Sequence, residues 1–135
     1  MLKKPITYVD YDGNQRTENH WFNLDEAEIL ELQVRYPGGM SAMLQKMVDE
    51  LDGAKILATI KEIIMLAYGE KSLDGKYFEK SHEKSVRFTQ SRAYSALLME
   101  LYRDANAAAD FMNKIIPQVD NQPNGNPQIG VVEAK

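Results

Sequence analysis

The chain has 135 residues, with 16 Lys and Arg against 20 Asp and Glu for a net charge of -4, and it has no cysteine. That length allows one domain with a core large enough to fold without staples, and the missing thiols exclude a disulfide frame, a thiolate zinc site and a cysteine nucleophile. The acidic balance argues against a broad nucleic-acid footprint, which draws on clustered positive charge.

In chain order, the first stretch with a signature is YVDYDGNQRTENHWFNLDEAE, residues 8–28, which sets Asp10, Asp12 and Asn14 around Gly13. A calcium loop places oxygen ligands at its first, third and fifth positions, glycine at the sixth and a carboxylate at the twelfth. Counted from Asp10, glycine falls at the fourth position and Trp21 at the twelfth, so the stretch reads as a turn and not a metal site. Residues 6–11 and 15–22 carry the Ile, Thr, Tyr, Val, Trp and Phe of two strands. A β-hairpin over about 6–22 is expected, with Asp12 and Gly13 both at positive φ. Asn23 followed by Glu26 has the spacing of a helix cap, with Asp25 and Glu26 suited to the positive end of the dipole. A first helix is therefore expected from Leu24 to about Arg35, broken at Pro37, Gly38 and Gly39.

Met40, Met43, Leu44, Met47, Val48 and Leu51 follow helical spacing and predict an amphipathic helix that Asp52 and Gly53 close. In AKILATIKEIIMLAYG, Ile56, Leu57, Ile60, Ile63, Ile64 and Ala67 share one side, and Ala58, Met65 and Leu66 widen the apolar arc. This predicts a central helix. EKSLDGKYFEKS reads as a polar connection turning at Asp74 and Gly75, with Tyr77 and Phe78 inward, and residues 82–90 as a short basic helix. From residue 91 to 116 the period runs through Tyr94, Leu97, Leu98, Leu101, Ala105, Ala108, Met112 and Ile115, with Asp104 to Asn106 able to divide it in two. Pro117 ends the pattern. The remainder, QVDNQPNGNPQIGVVEAK, is too poor in bulky apolar residues to fix itself in a core. The expected fold is thus mainly α: one domain over 1–117, with an N-terminal β-hairpin packed on a bundle of about five helices, and a disordered, flexible tail over 118–135.

Reactive groups are few. His20 and His82 are the two histidines, one beside Trp21 and the other in a polar segment, and both read as surface or half-buried side chains. No phosphate-binding glycine loop, nucleophile elbow or HExxH helix occurs, and Gly38 and Gly39 follow a helix where anion capture needs them before one. Carboxylates at 25, 26, 28 and 31 on one helix read as a solvated face. Neither an enzyme nor a bound cofactor is expected. A basic cluster of Lys71, Lys76, Lys80, Lys84, Arg87 and Arg92 has Tyr77 and Phe78 among it, a pattern that can stack bases. Glu79 and Glu83 interrupt it, which favours a solvated face or a protein contact. Met40, Met43 and Met47 suit either a core or an adaptable binding surface. No apolar run reaches the roughly 20 residues a membrane-spanning helix needs. The opening MLKKPITYVD has no long apolar stretch behind its lysines, so a cytosolic protein with no membrane partner is expected.

The first helix carries two apolar stripes. At about 100° per residue, Ala27, Leu30 and Val34 cluster with Leu24 near them, while Ile29, Leu32 and Tyr36 gather almost opposite. One stripe suffices for a helix at the edge of a small domain. Either the helix is sandwiched inside its own chain, or Ile29, Leu32 and Tyr36 face a second subunit or another partner.

The order of elements, from TYVDYDGNQRTENHWFNLDEAEILEL through GGMSAMLQKMVDELDGAKILATIKEIIMLAYGEKSLDGKYFEKS to RFTQSRAYSALLMELYRDANAAADFMNKIIP, resembles the tail assembly chaperones of long-tailed bacteriophages over roughly residues 6–117. The most telling pieces are the FNL and AE after the DGN turn, the GG break, LAYGEKS with DGK and F, and the closing AY, MEL and IIP. The resemblance implies a non-enzymatic protein that binds the tape measure protein, keeps it soluble and helps recruit tail tube protein around it. It implies action in the host cytoplasm, absence from the mature virion and possible self-association. It also implies a shorter product whose longer counterpart arises by programmed ribosomal frameshifting. Two other classes stay open: a small nucleic-acid-binding regulator using residues 71–92, and a structural head-tail connector subunit.

Overall fold

The computed structural model describes residues 1–39, 42, 45, 49 and 53–117. Strands β1 (Leu2–Val9) and β2 (Gln15–Phe22) pair antiparallel, with Leu2 opposite Phe22 and Val9 opposite Gln15. The turn joining them has a three-residue tip. Asp10 N–H donates to Asn14 O at 2.8 Å, Gly13 N–H donates to Asp10 O at 3.0 Å, and Gly13 takes φ 85°. Hairpins of this loop length use a left-handed residue to match the strand twist, and β1 starts four residues earlier than its composition suggested. Side chains alternate along β1: Ile6 is buried and Leu2 and Tyr8 pack on the core, while Lys3, Pro5, Thr7 and Val9 are exposed. Pro5, which cannot donate to a ladder, sits on the edge strand where that costs least.

Helix α1 (Glu26–Arg35) follows, then α2 (Gly53–Ala67), strands β3 (Tyr68–Lys71) and β4 (Phe78–Glu79), and helices α3 (His82–Thr89), α4 (Arg92–Arg103) and α5 (Ala105–Ile115). The strands form one antiparallel sheet in the order β1-β2-β3-β4, with Trp21 opposite Gly69 and Lys71 opposite Phe78. The expected mainly α fold is thereby corrected to a mixed α/β architecture, a four-stranded sheet with five helices among the described residues. Residues 68–71 and 78–79 have too few apolar positions to show a strand period. What makes them strands is an open edge, that of β2 for 68–71 and that of β3 for 78–79, which supplies backbone partners that only the folded chain brings near. Phe78 does not turn into the core as expected but lies against Gly69, where an added Cβ would come within 2.6 Å of its ring. Tyr77 is exposed.

The helix expected through Met40, Met43, Leu44, Met47, Val48 and Leu51 falls on residues outside those described, although Ala42, Gln45 and Asp49 are helical. The tail expected over 118–135 also lies outside them. Residues 91–116 do divide at Asp104, whose carboxylate accepts the backbone N–H groups of Asn106 and Ala107 and so caps α5. The core is aromatic at its centre. Phe22 is wholly buried among Tyr68, Phe88 and Phe111, with ring centroids 5.9, 5.8 and 5.2 Å away, and Tyr68 stacks on Phe88 at 4.3 Å. Around this centre Ile60, Ile63 and Ile64 of α2, Leu97 and Leu101 of α4, and Met112 and Ile115 of α5 are buried.

His20 of β2 reaches into the same layer, with its ring 5.4 Å from that of Phe88 and its buried Nδ1 without a partner among the described residues. Desolvation lowers its pKa below the usual 6.5. The folded chain therefore keeps the ring neutral at a pH where the unfolded chain has begun to bind a proton. Stability should be level above about pH 6.5 and fall as the pH drops from there through the depressed folded value. Denaturant midpoints measured between pH 7.5 and pH 5.5 check this, because His20→Leu should flatten the fall. An equal fall in wild type and variant would refute it.

Candidate partner-binding surface

Helix α1 starts two residues later than its sequence suggested. Its N-cap is Asp25, which accepts from Glu28 N–H while the Glu28 carboxylate accepts from Asp25 N–H, a complete capping box. Asn23 and Leu24 are claimed elsewhere. Asn23 N–H donates to Ala67 O and Leu24 N–H to Ile115 O, each at 2.8 Å, and the Leu24 side chain is buried. The chain before α1 is thus sewn to the ends of α2 and α5.

The two stripes of α1 have opposite fates. Leu32 is 3% exposed, and Ile29 and Tyr36 pack against the core cluster, with the Tyr36 hydroxyl donating to Glu62 of α2 at 2.7 Å. The three residues expected to face a partner are therefore turned toward the chain's own interior. Leu30 and Val34 are 61% and 82% exposed, and Ala27 beside them is exposed as well. The apolar face that α1 offers to the outside is the stripe that was expected to be covered.

Lys80 locks this arrangement. Its ammonium donates to Glu28 Oε2 and Asn23 O at 2.6 Å each and to Leu66 O at 3.0 Å. One cation thus joins the first turn of α1, the segment leading into it and the last turn of α2, where a positive charge also suits the helix dipole. Ser85 makes a second tie, its hydroxyl donating to Met65 O at 2.9 Å. Glu28, Met65, Leu66, Lys80, Ser81 and Ser85 line an open groove of about 640 Å³ beneath the N-terminus of α3. Nothing in the sequence near Lys80 pointed to this role, since two of its acceptors lie 57 and 52 residues away. Lys80→Met, which keeps the stem and removes the donors, should cost about 1–3 kcal/mol, because a carboxylate and two carbonyls lose their partner. A second change, Glu28→Gln, should recover part of that loss, since it removes the stranded charge. An unchanged urea midpoint in the single variant would show that the lock is dispensable.

Two of the six cations in the basic cluster over 71–92 are paired with carboxylates among the described residues. Lys80 is spent as described, and Lys84 lies 2.8 Å from Glu70 and 3.9 Å from Glu79, so that its pKa is raised chiefly by the hydrogen bond to Glu70. The Arg92 guanidinium sits 5.7 Å from the centre of the Tyr11 ring. On the first hairpin, Asp10 Oδ1 accepts from the N–H groups of Asp12 and Asn14 at 2.9 Å each, and Arg16 Nε donates to Oδ2. The Arg16 bond, followed by the Asn14 bond, holds the Asp10 carboxyl below its ordinary pKa. Its oxygens are used up in making the turn.

What distinguishes this region chemically is a packed helix that presents an exposed apolar stripe. No curated protein and no solved structure matches the chain. A family model described as a phage tail assembly chaperone matches residues 1–123, which is nearly the whole sequence, and the chain belongs to that family of phage tail assembly chaperones.

Proposed function

We propose that the chain binds the tape measure protein of its phage, holds it in solution and helps recruit tail tube subunits around it, without catalysing a reaction. Family membership over residues 1–123 carries this reading. The uncovered stripe of α1 supports it, since a protein that shields an apolar client needs apolar surface of its own. On this reading the protein works in the host cytoplasm and leaves before the virion matures. A programmed ribosomal frameshift in its gene is part of the same reading. Lys80 and Lys84 are taken up in ion pairs with carboxylates, which weakens the basic surface that a nucleic-acid regulator would need. Co-expression with the tape measure protein tests the proposal. The client should move from the insoluble to the soluble fraction and co-purify with the chain. Equal client solubility with and without it would overturn the reading.

A further inference from the structure

Resting on the reading just given, the geometry points to the Ala27, Leu30 and Val34 stripe of α1 as the docking face for an amphipathic helix of the client whose own apolar stripe is bordered by lysines or arginines. Three observations carry this. The stripe follows the spacing i, i+3, i+7 along one rigid helix, over about 10 Å of its length at 1.5 Å per residue, and such a ridge seats in the groove of another helix. Its root is fixed, because the opposite side of α1 is held by Leu32 in the core, the Tyr36 bond to Glu62 and the Lys80 lock on Glu28. The face is therefore presented without further ordering, which lowers the cost of binding. Its borders are acidic. At helical spacing Glu26 flanks the stripe on one side and Glu31 on the other, both are exposed, and neither makes an ion pair among the described residues.

Carboxylates on both flanks select cations on the partner and steer its approach. They also disfavour a second copy of this chain as the occupant. Two α1 helices packed antiparallel through Leu30 would bring Glu31 of each copy close to the dyad, and packed parallel they would set Glu26 of each copy beside Glu31 of the other. Like charges so placed cost affinity.

The test uses the full chain and the tape measure protein of the same phage, with three versions of the chain: wild type, Leu30→Ser with Val34→Ser, and Glu26→Lys with Glu31→Lys. All substituted positions are exposed, so each version should melt close to wild type. Wild type should capture the client, and more weakly at high salt. The serine pair should lose at least about tenfold in capture, and the lysine pair several-fold, with less of the salt dependence. If wild type captures the client and the serine pair does so equally well, the docking face lies elsewhere and this inference falls while the chaperone reading stands. If wild type captures nothing, the chaperone reading falls first. An oligomer in light scattering that the serine pair dissolves, with client capture unchanged, would reassign the stripe to a second copy and overturn the inference. Should the serine pair fail to fold, the lysine pair decides: capture equal to wild type, with the same salt dependence, overturns it.

Discussion

Replacing Ile29 and Leu32 together by aspartate is expected to unfold the chain, whereas the same changes at Leu30 and Val34 are expected to leave it folded. The four residues belong to one short helix, and their chemistry as a set is nearly uniform, so composition alone predicts equal effects. The structure makes them opposite. Leu32 is 3% exposed and Ile29 packs on the core. An unpaired carboxylate in those places costs several kcal/mol after relaxation, a large part of the roughly 5–15 kcal/mol that holds a domain together. At Leu30 and Val34, 61% and 82% exposed, a carboxylate stays hydrated, and the effect should be within about 0.5 kcal/mol. Circular dichroism on heating distinguishes the outcomes. A cooperative melt near the wild-type temperature for Ile29→Asp with Leu32→Asp would mean that α1 is not anchored as described.

Phe22→Ala should be the most damaging single truncation, at about 3–5 kcal/mol. Phe22 has no exposed surface, and its ring meets those of Tyr68, Phe88 and Phe111 edge-on, contacts that add to the area it buries. It is also the last residue of β2, beside the Trp21 and Gly69 pair, so the cavity would open where the sheet and the helices meet. Phe22→Leu keeps most of the apolar volume and should cost distinctly less. Denaturant midpoints at constant slope provide the measurement. A loss below about 1 kcal/mol for the alanine variant would show that the site collapses on itself, and the aromatic cluster would not be the centre of stability.

The candidate surface was half legible before folding. Helical spacing revealed two stripes on α1, and because a short helix at the edge of a domain has use for one, the second called for a partner. Spacing could not say which stripe was which. Ile29, Leu32 and Tyr36 match Ala27, Leu30 and Val34 in helical order, and the choice between them came from the surroundings: Glu62 of α2 beneath Tyr36, and Lys80 beside Glu28. Lys80 itself looked like one more surface cation in a basic run. It became a structural residue because its acceptors come from two other segments of the chain, around Asn23 to Glu28 and at Leu66.

What the sequence by itself determined about this protein is whatever depends on neighbours within a turn or two. The period of Ile56 to Ala67 makes α2, Asp104 divides the last helical stretch, glycine at position 13 supplies the turn between β1 and β2, and Pro117 follows the last helix. These follow from local sterics and backbone hydrogen bonding, which the chain carries with it. The tertiary structure alone decided what depends on partners far along the chain. Polar residues 68–71 became a strand because β2 had an edge to pair, and Asp25 became the cap of α1 because Leu24 was drawn into the core and bonded to Ile115. It likewise decided that Leu30 and Val34 face outward, since amphipathicity marks the sides of a helix but the elements packed around it choose which side is buried.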